Sequence, residues 1–216
     1  MTNRRDVIKG GVAATTALFG AGSAIAATGA KAGAMAGERG QPPVPGELVH
    51  EIHDIIYDRQ FGVAEAFAAA ARNRGLAAHA IEGDVTWLWY NRLDAAWKEG
   101  PRTIAGMTGH GALFVLERLA WEKGMVVAFR GFHVPNAKGG IDHRFEGPGS
   151  LISRTAQLDD AWAEAMAELI VHCPVKRGAK ALLSTSTGGT MDWPFKDEGL
   201  VSWIIAPTGR TAFPRT

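Results

Sequence analysis

Short aliphatic runs alternate with helix-patterned segments along most of this 216-residue chain, and that alternation limits the fold more than any other feature. Two parallel strands can be joined only through a crossover, usually a helix, whereas an antiparallel pair needs no more than a turn. A chain that keeps placing helices between strands is therefore building βαβ units and a parallel sheet. The spacing predicts strands over residues 52–57, 77–81, 103–107, 125–132 and 200–206. It predicts helices over 62–74, 86–98, 112–123 and 158–171. The first helix is alanine-rich and stops at Gly75, and the third stops at Gly124, each a position where a left-handed glycine closes a helix cheaply. Trp89, Leu93 and Trp97 fall four apart and are read as one buried stripe. The expected fold is α/β, a three-layer sandwich around a mainly parallel sheet of about five strands, Rossmann-like or flavodoxin-like. Residues 133–149, rich in Gly, Pro and charge, and the hydroxyl-rich 184–189 are expected to be loops.

Ahead of this pattern the chain runs Met-Thr-Asn-Arg4-Arg5-Asp6-Val7-Ile8-Lys9, then an uncharged stretch rich in Ala, Gly and Thr as far as Ala27. Ala24-Ile25-Ala26 supplies the small-x-small pattern that signal peptidase needs. Paired arginines, one polar residue, two aliphatics and a lysine resemble the twin-arginine export signal. Asn3 stands where Ser or Thr is usual, and Val7 where Phe is usual. The resemblance implies that residues 1–26 are a signal peptide and that the protein reaches the periplasm already folded. It implies nothing about the fold behind the leader. A spanning helix needs roughly 20 strongly apolar residues, and this Gly-rich stretch is too mild, so no stable membrane anchor is expected. Residues 27–46 carry too few bulky apolar side chains to offset their ordering entropy and read as a flexible tether. Residues 47–216 have the length of one α/β domain with a single core.

Composition removes several classes of function. With 23 basic against 22 acidic residues, the chain has no electrostatic footprint for nucleic acid. Cys173 is the only cysteine, which excludes an intramolecular disulfide, thiolate clusters and haem attachment through paired cysteines; it reads as a buried, inert thiol. Seven tryptophans are many for this length, and they suit the lining of a pocket or an interface.

Ligands of open parallel sheets bind beyond the carboxyl ends of the strands, where loops and helix N-termini converge. That rule selects Asp58 and Arg59, Glu82 and Asp84, Thr108 to Gly111, and His133. Asp58, Glu82, His110 and His133 are the expected acid–base groups. Arg59, Asp84, Thr108, Gly109 and Gly111 are the expected ligand contacts. The run Gly106-Met-Thr-Gly-His-Gly111 is a glycine-rich passage from strand to helix, whose amides suit a phosphate or carboxylate. Its spacing matches neither the dinucleotide fingerprint nor the Walker loop, and it also reads as a plain tight turn. His133, Asp142, His143 and Glu146 have side chains that could hold a transition metal, but their spacing matches no standard site. No metal ligand is assigned, and the cofactor stays open. The hydroxyls of Ser184 to Thr187 lack a nucleophile elbow around them. Two readings of function follow. One is a periplasmic accessory or ligand-binding protein, a partner of a larger exported oxidoreductase. The other is a small cofactor-independent enzyme acting on an anionic metabolite at the strand-end rim.

Overall fold

The expected aliphatic runs form strands, and two further strands join them. The structure is a computed structural model that describes residues 51–171, 180–188 and 199–208, all inside one compact unit, Pro42–Thr216. The expected leader and tether, and Cys173, lie outside the described residues. In chain order the elements are β1 (Asp54–Asp58), α1 (Gly62–Asn73), β2 (Ala77–Ile81), α2 (Thr86–Leu88), a π turn (Trp89–Leu93), α3 (Asp94–Glu99), β3 (Ile104–Gly109) and α4 (His110–Glu122). They continue with β4 (Met125–Pro135), β5 (Ile141–Pro148), α5 (Gly149–Thr155), α6 (Trp162–Val171), β6 (Lys180–Thr187) and β7 (Leu200–Pro207). The class is α/β, as expected.

The sheet departs from expectation. It has seven strands in the order β2-β1-β3-β7-β4-β5-β6. Only β1 with β2 and β1 with β3 are parallel; β7 is antiparallel to β3 and β4, and β5 is antiparallel to β4 and β6. The sheet is mixed because β7 enters antiparallel between β3 and β4, and because residues 133–149 are a hairpin and not a loop. Asn136 turns the chain there: its side-chain carbonyl accepts the amides of Lys138 and Gly140, and Gly139 takes a left-handed φ of 82°. Beyond the turn Ile141, His143 and Phe145 are buried while Asp142 and Arg144 are exposed, the period-two alternation of a strand with one wet face. The expected loop at Ser184 is likewise the body of β6, an edge strand.

Helices line both faces. Ile55, Tyr57, Met107 and Phe145 pack with α1, α5 and α6. Ile56, Ile104, Trp203 and Ile205 pack on the other face with α2 to α4, where Trp89, Leu93 and Trp97 are all buried as expected. Gly106 belongs to this packing: a Cβ there would overlap the Ile56 carbonyl and the Trp203 indole. The first glycine of the Gly-rich run therefore makes room for a tryptophan, whereas Gly111 faces open space. On the second face α4 covers β3, β7 and β4. Farther along that face Val134 on β4 is 49% exposed and Leu182 on β6 is 59% exposed.

Candidate functional site

Two antiparallel steps in succession restore the original direction, so β1, β2, β3, β4 and β6 all finish at one edge of the sheet. That edge gathers most of the residues selected from sequence. Asp58 ends β1. Glu82, Gly83 and Asp84 follow β2, and Gly109 ends β3 as His110 opens α4. The fold brings Asp58, Arg59, Glu82, Asp84, Gly109, His110 and Gly111 to one rim.

Their environments differ sharply. Arg59 and Glu82 are exposed and bound to each other as an ion pair. Asp84 is exposed, and its carboxylate accepts the Thr86 amide at 2.8 Å, so it caps the following helical turn. The Thr86 hydroxyl first, and this amide second, hold its pKa below the ordinary carboxylate range. His110 and Gly111 are exposed at the start of α4. Thr108 is fully buried; its hydroxyl donates to the Gly109 carbonyl and accepts the Trp203 indole N–H, both at 3.1 Å. Both hydrogen-bonding capacities of that hydroxyl face inward, which leaves it as part of the packing.

Asp58 stands apart. It is 1% exposed. Its Oδ1 accepts the Gln60 amide at 3.1 Å, while Oδ2 is buried without a hydrogen-bond partner. Loss of solvent is the largest influence and pushes the carboxyl above the ordinary aspartate range. The amides of Gln60, Gly83 and Gly109 pull the other way, and the charge on Glu82 adds to the rise. Of the glycine amides expected to hold an anion, that of Gly109 thus already faces a carboxyl group of the protein. A second anion brought against that amide would meet the carboxylate.

His133 does not join this group. It lies in register with Gly109 through Leu200 of the intervening β7. Its side chain, however, is on the opposite face and fully buried. There His133 and His143 place their Nδ1 atoms 2.7 Å apart. His133 Nε2 is 2.9 Å from the Ser202 hydroxyl, and His143 Nε2 is 2.9 Å from that of Thr187. The Trp162 ring lies 4.4 Å from the His133 ring. Burial pulls His133 well below the usual imidazole range and His143 down to about 4. Both rings are then neutral at pH 7, and only one Nδ1 carries a hydrogen to donate to the other. The accepting ring keeps its hydrogen on Nε2 and donates it to a hydroxyl. The result is one closed chain, Ser202–His133–His143–Thr187, across four adjacent strands with every ring nitrogen engaged. Sequence reasoning named both histidines, took Thr187 only as part of a hydroxyl-rich loop, and missed Ser202 and Trp162; the alternation of Ile141, His143 and Phe145 was the signal that places His143 beside His133. The same alternation puts Asp142 and Glu146 on the other face of β5, so the four residues considered for a metal do not converge. Among the described residues no cluster of three or more metal-ligating side chains occurs, and no helix is long and apolar enough to cross a membrane.

Comparison with protein-family models, with curated proteins and with solved structures gives no match of any kind.

Proposed function

We propose that the chain is exported by the twin-arginine route and that its folded domain binds a small polar molecule at the strand-end rim, exchanging a proton with it through Asp58. One observation carries this reading: a buried carboxyl at the ends of three neighbouring strands keeps an oxygen without a partner. Leaving a buried polar atom unsatisfied costs about 1–3 kcal/mol, and a ligand group that supplies the missing hydrogen bond recovers that cost. A carboxyl whose pKa is raised is also the kind of group that general acid–base chemistry uses. The complementary ligand carries a hydroxyl or amine toward Asp58; its anionic portion, if it has one, lies nearer exposed His110 and Arg59 than the Gly109 amide. This is the enzyme reading, with the ligand's charge moved away from the glycines. The test is a screen of polar metabolites against the mature protein by ligand-observed NMR, repeated on Asp58→Asn. Binding that the variant loses supports the reading. A screen in which no hit binds the variant more weakly than the wild type would remove Asp58 from any site. Export is tested separately: Arg4 and Arg5 both replaced by lysine should leave precursor in the cytoplasm, and normal periplasmic accumulation would contradict it.

A second reading, the accessory subunit docking on a larger periplasmic protein, is favoured by exposed aromatics. Trp87 is 73% and Tyr90 74% exposed, and on α4 Arg118 lies over the exposed rings of both Phe114 and Trp121. Aromatic and arginine side chains of this kind are common anchors of protein interfaces. Purification of the native protein with a stoichiometric second subunit, lost on Trp87→Ser with Tyr90→Ser, would support it. A lone protein that behaves identically with both substitutions would exclude it.

A further inference from the structure

The outer face of β4, β5 and β6 forms a groove of about 540 Å³, separate from the strand-end rim. That volume lies within the roughly 300–1,000 Å³ of small-molecule sites. The strand register arranges its lining as a grid of two rows. Phe132 pairs with Arg144, and Arg144 with Ser184; Val134 pairs with Asp142, and Asp142 with Ser186. Read along the strands, one column is apolar, the middle column carries a negative and a positive charge, and the third carries two hydroxyls.

The two charges are prepared for something other than each other. Arg144 donates from Nη2 to Glu146 at 3.0 Å, and its remaining N–H groups have no partner among the described residues. Asp142 accepts Asn136 Nδ2 at 2.9 Å and the Ser186 hydroxyl at 2.8 Å, both on Oδ1, so its other oxygen is spare. Those two bonds also hold its carboxyl below the ordinary range, keeping it ionised. Residues two apart on a strand are separated by about 6.5–7 Å. That is a Cα spacing; an α-amino acid, whose ammonium and carboxylate sit about 3 Å apart across one carbon, bridges opposite charges about 8–9 Å apart with a hydrogen bond at each end, a separation within reach of two side chains leaning from such positions.

From this complementarity of charge we propose that the groove is a binding site for a free zwitterionic amino acid with an apolar side chain. The ammonium lies on Asp142, the carboxylate on Arg144, and the side chain on Phe132 and Val134, with Ser184 beside the carboxylate. Neutral or singly charged analogues leave one member of the charged column unpaired, which is the basis of discrimination.

The probe is L-phenylalanine, titrated into the mature protein by ligand-observed NMR, alongside 3-phenylpropionate, phenethylamine and N-acetyl-phenylalanine amide. We expect saturable binding of phenylalanine in about the millimolar range, and each analogue weaker by about tenfold for the charge it lacks. Asp142→Asn should abolish the preference over 3-phenylpropionate, and Arg144→Gln the preference over phenethylamine. Val134→Asp should weaken phenylalanine, whereas Asp58→Asn should leave its binding unchanged, which separates this site from the rim. Asp142, Arg144 and Val134 are exposed, so circular dichroism should report an intact fold for the variants at those three positions. The proposal is overturned if phenylalanine shows no saturation up to about 10 mM, if the blocked amide binds as well as the free amino acid, or if the two charge variants keep the wild-type ranking.

Discussion

The half of the sheet made of β2, β1 and β3 and the half made of β4, β5 and β6 answer the demand for burial in different ways. In the first half β1 and β3 are short, neighbours run parallel, and the two central strands are buried on both faces. In the second half strands reach eleven residues, neighbours run antiparallel, and one face stays open. β7 is the seam, buried along nearly its whole length and antiparallel to both neighbours. Each half also buries polar groups, with opposite outcomes. The histidine chain under Trp162 closes on itself, whereas Asp58 keeps a carboxyl oxygen unmatched. A satisfied buried network holds a fold together; an unsatisfied group beside a rim is where a ligand gains most.

The sharpest way to break this division is at the seam. Trp203 fills the space that Gly106 leaves and donates to Thr108. Trp203→Ala should cost about 3–5 kcal/mol in urea unfolding, the usual cost of emptying a large core site. A loss under about 1 kcal/mol would mean the two halves do not depend on β7.

Acid should find the histidine half first. A group whose folded pKa is depressed contributes stability that is present above its unfolded pKa and lost as pH falls toward the folded value. For His143 that window runs from about 6.5 down to about 4, and the loss is on the order of 3 kcal/mol. His143→Phe should flatten this part of the stability profile while costing about 1–3 kcal/mol at pH 8, because His133 and Thr187 lose a partner. Parallel profiles for wild type and variant would show that the pair titrates elsewhere. The smallest effect is expected on the open face. Leu182→Thr should shift stability by no more than about 0.5 kcal/mol, and a larger drop would mean that something in the chain covers β6.

The same division explains what the sequence makes legible. β1, β3 and β7 are buried on both sides, so they read as continuous aliphatic runs, and β2 follows α1 after a clear glycine stop. β5 and β6 are half wet, so their apolar residues come only at alternate positions among Asp, Arg, Ser and Thr, and composition alone makes them resemble loops. Missing that hairpin and the reversed direction of β7 turned a mixed seven-stranded sheet into an expected, mainly parallel sheet of about five. The rim was readable because strand ends follow from strand positions: Asp58, Glu82 and Gly109 do meet. Which of them keeps a free atom was not, since the pairing of Arg59 with Glu82 and the inward turn of Thr108 depend on contacts 23 and 95 residues apart. His133 was expected just past the end of its strand, on the rim; β4 instead runs on to Pro135, so His133 lies inside the strand with its side chain buried.

The contrast between a closed pair and an open carboxyl rests on Asp58. Carbon-13 NMR of its side-chain carboxyl, followed through a pH titration of the folded protein, measures it directly. The account predicts a midpoint above the ordinary aspartate value of 3.8, moving further when a ligand occupies the rim. A midpoint at or below 3.8 would mean that the amides of Gln60, Gly83 and Gly109 satisfy the carboxylate fully, and that Asp58 is a structural anchor with no proton to exchange.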